Sequence, residues 1–415
     1  MSDSALTPRP PWAGKRVVLG VTGGIAAYKA VQLARDLTRL GAIVDVVVTR
    51  GGQAFVAPLS FEGVTGRPVQ TNLYSVDGAA LHLRLAADAD VVAVAPATAD
   101  FLSRAAHGRA DDLLAAVLLS TSAPVILAPA MNDRMFSHPQ TERNLAHCRD
   151  VCGYHVIGPA SGALAEGEGA GPGRLLEPED ICEHIGRAIG ADPAFDGRNV
   201  VVTAGPTYEA IDPVRFLGNR SSGRMGFCLA REAWLRGAEV TLVAGPSLLE
   251  PPLGVTTVNV RSADEMLDAV ERTAPKADFL FFSAAVSDFR VSAPRKEKIK
   301  RGDSGGELTL TFVENPDVAL STKALRRDGA VTVGFALETR AVRAGALEKL
   351  ASKDLDLIVA NDSTEEGAGF EVPTNRVTLF SRDGGEESLP LQSKESLARE
   401  LLDRVARMGQ GSAPA

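Results

Sequence analysis

One recurring pattern restricts the fold of this chain more than any other feature. Twice, a short β-branched apolar run breaks off into a glycine-bearing polar loop and resumes as a helical pattern. The first instance is Val17, Val18, Leu19 and Gly20, which lead into Val21-Thr22-Gly23-Gly24 and then helical spacing from Ile25 to Leu40, stopped by Gly41. The second is the stretch from Asn199 to Phe227. Val200, Val201, Val202 and Thr203 end at Ala204-Gly205-Pro206, a polar loop carries Asn219, Arg220, Ser221, Ser222 and Gly223, and a helix starts near Met225. Glycine at such turns lets backbone approach a ligand with no side chain in the way. A strand, an open loop and a helix N-terminus form an anion seat, because unpaired N–H groups and the helix dipole face the same point. Two such starts predict two nucleotide- or phosphate-binding domains in one polypeptide.

The rest of the chain keeps the alternation. Before the middle, strands fit Arg16–Val21, Ile43–Thr49, Val91–Ala95 and Val125–Ala128, with a weaker one at Tyr154–Ile157. Helices fit Ile25–Leu40, Ala99–Ala106, Asp111–Ser120, Thr141–Arg149 and Pro178–Ile189. After it, strands fit Val200–Thr203, Glu239–Val243, Thr256–Val260, Phe279–Ser283, Val331–Phe335, Leu357–Ala360 and Val377–Phe380. Helices there fit Arg224–Arg236, Ala263–Arg272, Ala341–Ser352 and Lys394–Met408. Leu308, Leu310 and Phe312 alternate with threonines as a half-exposed strand does, and Asp383-Gly384-Gly385 reads as a hairpin turn. The expected class is α/β with two doubly wound parallel sheets. Gly190-Ala191-Asp192-Pro193 is the expected linker, which divides the chain into domains at 15–191 and 192–408, with a disordered tail at 1–14 and a frayed one at 409–415. Ligands in such sheets lie beyond the strand C-termini, where Thr22, Thr49, Ala97-Thr98 and Met131-Asn132 fall.

Composition excludes several classes. An apolar content of 45% with 23% charge is that of a globular soluble protein. A net charge of −8 leaves no basic footprint for nucleic acid. The four cysteines are irregularly spaced and form no secreted disulfide framework. The leading segment has Pro8, Pro10 and Pro11 but no apolar signal core, and no run is long enough to span a bilayer. A cytoplasmic setting is expected. His147, Cys148, Cys152 and His155 resemble a metal cluster in composition only. Their spacing matches no common zinc module, and small thiols buried at a helix end are the simpler reading. No Gly-x-Gly-x-x-Gly element opens either domain, which argues against a nicotinamide dehydrogenase.

Particular stretches carry a resemblance. VLGVTGGIAAYKA, HLRLAADADVVAVAPATADF, ILAPAMNDRMF and GPGRLLEP resemble the FMN-binding phosphopantothenoylcysteine decarboxylases. TAGPTYEAIDPVRFLGNRSSGRMGF, FFSAAVSDFR, EKIK and DLDLIVAND resemble the phosphopantothenate–cysteine ligases. The fused order, over residues 14–408, is similar to the bacterial bifunctional proteins of coenzyme A biosynthesis. The resemblance implies a flavodoxin-like first domain that binds FMN between subunits of a homotrimer, with Thr22, Gly23, Thr49 and Thr98 around the flavin and its phosphate. It implies His82 as the base during thiol oxidation and Asn132 as the residue that holds the departing carboxylate. The family's flap carries a cysteine as the proton donor, but this chain reads Leu164-Ala165-Glu166-Gly167. Either Glu166 is the acid, its pKa raised by burial, or the last reduction is slow and an oxidised ene-thiol leaves. A third alternative, a flavin-binding interaction subunit without activity, is opposed by intact His82 and Asn132.

For the Rossmann-like second domain the resemblance implies ligation of 4′-phosphopantothenate with L-cysteine through an acyl-cytidylate made from CTP, with Mg2+ on the triphosphate. Asn219 in the polar loop is implied in handling that intermediate, and Ala284, Ala285 and Asp288 in holding the nucleotide. Lys298, inside the basic run Lys296 to Arg301, matches the family's essential lysine. Phe335 is placed against the cytosine, and Lys349 and Lys353, four apart on one helical face, against the phosphates. Pro316-Asp317 and Asn361-Asp362 match further loop positions. Ligase dimers combined with decarboxylase trimers would close into a dodecamer.

Overall fold

The computed structural model describes residues 7–74, 80–163, 169–300, 307–338, 341–362, 369 and 372–410. The chain separates into two compact units, Met1–Gly190 and Ala191–Ala415.

The first unit runs β1 (Arg16–Val21), α1 (Ala27–Arg39), β2 (Ile43–Val48), α2 (Arg50–Gln53), α3 (Pro58–Thr65), α4 (Leu81–Asp88), β3 (Val91–Ala97) and α5 (Ala99–Ala106). It continues with α6 (Leu113–Ser120), β4 (Val125–Pro129), α7 (Asp133–Phe136), α8 (Pro139–Asp150), β5 (His155–Val156), the antiparallel ribbon β6 (Ala160–Ala163) with β7 (Ala170–Arg174), and α9 (Pro178–Gly190). The five-stranded sheet has the order β2-β1-β3-β4-β5 with every pair parallel, the flavodoxin-like winding. Its strands are apolar on both faces because helices cover both. One core joins Val18, Val92, Phe101, Leu114, Leu127 and Cys148. Gly20 lets α6 settle onto β1, since a Cβ there would stand 2.5 Å from the Leu114 side chain.

Three expectations change here. Residues 7–14 do not belong to a disordered tail. Trp12 is fully buried, its indole N–H donates to the carbonyl of Cys182 at 3.0 Å, and the backbone of Arg9 and Gly14 bonds to Leu40 and Gly41. Helices α3 and α4 lie where none was read. In α3 only Phe61 is buried, so no apolar stripe forms, and α4 starts from Ala80 at φ 63° without a capping side chain.

The second unit contains β8 (Asn199–Ala204), β9 (Tyr208–Ala210), β10 (Phe216–Gly218), α10 (Arg224–Leu235), β11 (Glu239–Ala244), β12 (Thr256–Asn259), α11 (Ala263–Thr273), β13 (Phe279–Phe282), β14 (Phe289–Val291) and β15 (Phe312–Glu314). Then come α12 (Val318–Ser321), β16 (Val331–Glu338), α13 (Val342–Ser352), β17 (Leu357–Asp362), β18 (Thr374–Ser381), β19 (Glu386–Ser393) and α14 (Lys394–Gln410). The main sheet has the order β12-β11-β8-β13-β16-β17-β18-β19. Its first six strands are parallel and follow the Rossmann winding, with the switch point between β8 and β13.

The sheet is mixed and not wholly parallel. β18 runs against β17, and β19 runs against β18 because the short turn at Asp383-Gly384-Gly385 between them has no room for a crossover helix. The alternating stretch around Leu308 pairs only from Phe312 onward, as β15 against β14, and α14 extends through Gly409 to Gln410.

Candidate active sites

In the first unit three loops meet beyond the C-termini of β1, β2 and β3. Thr22, almost fully buried, ties two of them: its hydroxyl donates to the Pro96 carbonyl at 2.6 Å and accepts from the Thr98 N–H at 3.1 Å. Thr49 ties the third, since its hydroxyl donates to the Val21 carbonyl at 3.2 Å and accepts from the Gly52 N–H at 3.1 Å. Thr98 caps α5 through the Phe101 N–H at 3.4 Å. Gly23 closes the floor. A Cβ there would lie 2.8 Å from the Gly51 backbone, so glycine is required for the two loops to touch. Both buried threonine hydroxyls are spent on the protein, which leaves loop backbone and the Thr98 edge to face a ligand. Exposed Ile25 and Tyr28 at the entry to α1 supply an apolar flank. A narrow backbone floor, a hydroxyl-capped helix and an apolar flank fit a flavin with its phosphate.

Asn132 ends the loop after β4, and its side-chain oxygen accepts from the Arg134 N–H at 3.0 Å. The β6–β7 ribbon lies directly on this loop: Met131 donates to the Gly173 carbonyl at 3.0 Å, and a Cβ on Gly171 would stand 3.0 Å from Asp133 Cβ. On the same ribbon's far end Glu177 receives Lys29 at 3.0 Å and Arg174, and the Lys29 hydrogen bond holds its carboxyl below the usual range. Glu166 lies outside the described residues. His82 opens α4 half-buried, and no hydrogen bond joins it to the threonines among the described residues. Cys148 is fully buried in the core, which keeps it from meeting a substrate, and burial pushes its thiol up to about 11. Among the described residues no group of three or more His, Cys, Asp or Glu is placed to hold a metal ion.

In the second unit a cleft of about 580 Å3 opens over the switch point. Its floor is knitted from backbone. The Ala284 N–H donates to Thr203 Oγ1 at 3.2 Å, and the Ala285 N–H to the Gly205 carbonyl at 2.9 Å. Gly205 and Gly223 both have positive φ, and a Cβ on Gly223 would stand 3.1 Å from the Gly205 nitrogen, so the polar loop crosses β8's exit at backbone contact. Asn219 clamps this crossing, its amide donating to the carbonyls of Ala285 and Val286 at 3.1 and 3.0 Å. On one wall Lys353 pairs with Asp317 at 2.8 Å, and Asp317 also caps α12 through the Leu320 N–H at 3.0 Å. Burial raises the Asp317 pKa, but Lys353 and the helix N–H groups outweigh it and the carboxyl stays below its ordinary value.

The cleft brings together Asn219, Ala284, Ala285, Asp288, Pro316, Asp317, Phe335, Lys349 and Lys353, nine residues dispersed in the sequence. Lys298 does not line it. That lysine is exposed in the segment after β14, beside Ile299, whose N–H donates to Asp212 at 3.1 Å. Asn361 lines the cleft, and nothing is described of the Asp362 side chain. Sequence reasoning missed Lys394, Asn375 and Asn315, which also line it. A charged first residue of a helix reads as surface, and only the fold turns Lys394 inward.

Comparison with known proteins gives two family models. One described as Flavoprotein matches residues 9–190, and one described as DNA/pantothenate metabolism flavoprotein C-terminal domain matches residues 195–408. The chain is 43% identical over 395 residues to the coenzyme A biosynthesis bifunctional protein CoaBC of Vibrio vulnificus (strain YJ016), covering 95% of this chain and 98% of the relative. It is 42% identical over 396 residues to the protein of the same description from Escherichia coli (strain K12), covering 95% and 97%. A crystal structure of the C-terminal domain of a CoaBC protein is 37% identical, covers 53% of this chain and 100% of its own, and has a TM-score of 0.46.

Proposed function

Because the chain belongs to the family of coenzyme A biosynthesis bifunctional proteins, we propose that its second unit uses CTP to join 4′-phosphopantothenate to L-cysteine. The first unit then decarboxylates the product to 4′-phosphopantetheine. The chain is a bifunctional enzyme with decarboxylase and ligase activities, and its first unit is of the flavoprotein family, for which FMN is the flavin proposed. The observation that carries the detailed reading is the single cleft lined by Asn219, Asp288, Asp317, Phe335, Lys349 and Lys353.

In the ligase step the substrate carboxylate attacks the α-phosphorus of CTP and pyrophosphate leaves. The cysteine amine then attacks the acyl carbon and CMP leaves. Lys349 and Lys353 offset the negative charge of the triphosphate, Lys353 trading Asp317 for a phosphate oxygen. Asp317 and Asp288 would then be available to one Mg2+ brought in with the nucleotide. Phe335 faces the base, Pro316 and the small Ala284 and Ala285 let the nucleotide lie close to backbone, and Asn219 keeps the crossing loops rigid around the acyl-cytidylate. Lys298 reaches the phosphates from the segment anchored by Asp212.

In the first unit FMN, when bound, would supply two-electron redox chemistry for oxidation and re-reduction at the substrate thiol. The loop backbone at Gly23 and Thr98, braced by Thr22 and Thr49, holds the phosphate and flavin edge. His82 takes the thiol proton, Asn132 orients the carboxylate, and Glu166 is the proposed final acid.

Four free cysteines accord with a reducing, cytoplasmic setting, and no helix among the described residues is long and apolar enough to cross a membrane. Exposed Ile25, Tyr28 and Leu59 on the first unit, and Val214, Phe216, Phe289 and Phe312 on the second, accord with a homo-oligomer; trimers of the first unit and dimers of the second are what the family resemblance implies. The test is incubation of purified protein with 4′-phosphopantothenate, cysteine, CTP and Mg2+, followed by mass analysis. Phosphopantetheine, CMP and pyrophosphate are expected, and failure to consume CTP would overturn the ligase assignment.

A further inference from the structure

Two cations in the ligase cleft have no role in the account above. Lys394, the first residue of α14, is only 4% exposed. Its ammonium donates to the Gly369 carbonyl at 2.9 Å, and no carboxylate forms an ion pair with it among the described residues. Arg224, the first residue of α10, is half-buried, and its guanidinium makes neither an ion pair nor a hydrogen bond among the described residues. Both line the cleft, together with Asn361, Asn375 and Gly369.

Their position separates them from Lys349 and Lys353. Right-handed crossovers leave the switch point in opposite directions, through α10 toward β11 and through α13 toward β17, so α10 and α13 cover opposite faces of the sheet. Helix α14 packs on α10 and brings Lys394 to the face of Arg224. The cleft therefore has cations on two sides, and among the described residues only the α13 side has a carboxylate bonded to one of them. Burying an ammonium with one neutral acceptor is costly, because two of its three donors lose water without replacement. Burial lowers the pKa of Lys394, and the nearby Arg224 charge lowers it further. An anion between the two side chains relieves both costs, and α10 adds its helix dipole there, with Gly223 as a cap that has no side chain.

We propose that Lys394 and Arg224 form a second anion seat in the cleft, on the sheet face opposite Lys349 and Lys353, and that it takes a phosphate group of a substrate. The proposal rests on the ligase reading. Two substrates carry such a group, the triphosphate of the nucleotide and the phosphate ester of the acid. L-Cysteine carries none.

The experiment compares full-length wild-type protein with K394M, K394R and R224M. It measures KM for CTP, 4′-phosphopantothenate and cysteine, the unfolding midpoint, and calorimetric binding of inorganic pyrophosphate and inorganic phosphate. K394M and R224M are expected to raise KM about ten-fold or more for the same phosphate-bearing substrate, the loss of a charge-assisted hydrogen bond. K394R is expected to recover most of it, and KM for cysteine to stay unchanged. A rise for CTP, with weakened pyrophosphate binding, assigns the triphosphate to the seat. A rise for the acid, with weakened phosphate binding, assigns the ester. Unchanged KM values and unchanged anion binding in both K394M and R224M overturn the seat. If K394M alone unfolds, R224M decides. A protein that binds pyrophosphate or phosphate through Lys394 but never consumes CTP keeps the seat and refutes the ligase reading instead.

Discussion

Gly226, in the first turn of α10, sits where that helix crosses the strand ends that floor the ligase cleft. A methyl group there would stand 2.5 Å from Ala204 Cβ, 2.6 Å from Ser283 Oγ and 3.1 Å from the Thr203 carbonyl. Non-bonded carbons rest about 3.5–4.0 Å apart, so relief requires a retreat of about 1 Å. The Ser283 hydroxyl can rotate, but Ala204 Cβ and the Thr203 carbonyl are fixed to the sheet, and the helix must move. Glycine to alanine gains about 1 kcal/mol of helix propensity in a helix interior. Overpacking costs about 1–3 kcal/mol, so G226A should lower the stability of the second unit by up to about 2 kcal/mol. Function suffers more. Arg224 and Met225, the two residues just before it in the same turn, line the cleft, and an error of about 1 Å in positioning lowers catalysis by on the order of a hundred-fold. The assay is steady-state ligation followed by pyrophosphate release, with decarboxylation of supplied 4′-phosphopantothenoylcysteine as the internal control. Ligase kcat/KM should fall steeply while the control holds. Gly63, inside α3 with nothing within 4 Å of its absent Cβ, is the matched comparison, and G63A should be neutral or gain up to about 1 kcal/mol. Wild-type ligation and undiminished stability in G226A would refute the packing argument.

Three further outcomes are expected. The buried Asp212 carboxylate receives N–H groups from Val214 at 2.7 Å, Arg215 at 2.8 Å and Ile299 at 3.1 Å, together with the Arg215 guanidinium. D212N should therefore free the Lys298 segment and cut ligation by about ten-fold or more, with decarboxylation intact; equal loss of both activities would sink the idea. Burial, with Arg187 and His155 adding, pushes the His184 imidazole down to about 4. The unfolded chain then takes up a proton below pH 6.5 that the folded unit refuses. Stability of the first unit is fully present above that pH and falls by about 3 kcal/mol as pH drops toward 4. H184Q should flatten this limb in denaturant titrations at pH 7 and 5, and parallel profiles would contradict it. Finally, E166A should yield oxidised ene-thiol in place of phosphopantetheine by mass analysis, and unchanged product would remove Glu166 from the reaction.

The doubly wound α/β class was legible because buried β-branched runs such as Val200–Val202 alternate with helical patterns along both halves of the chain. The mixed edge was half legible. Asp383-Gly384-Gly385 announced a hairpin, but nothing local says that β18 must oppose β17. The β6–β7 ribbon was invisible as strands, since ASGA and AGPGR hold no β-branched or aromatic residue and owe their pairing to the Met131 loop beneath. Cleft residues at strand ends were readable from their loops. Lys394 was not, because its inward aim depends on where α14 meets α10.

Trp12 also has a practical consequence. Its indole is latched to a carbonyl in the last helix of the first unit, so trimming the first dozen residues would be felt inside that unit's core and not merely at a dispensable end. Removal of a tryptophan this enclosed costs about 3–5 kcal/mol, enough to leave a shortened protein with a loosened last helix and an opened core beside it.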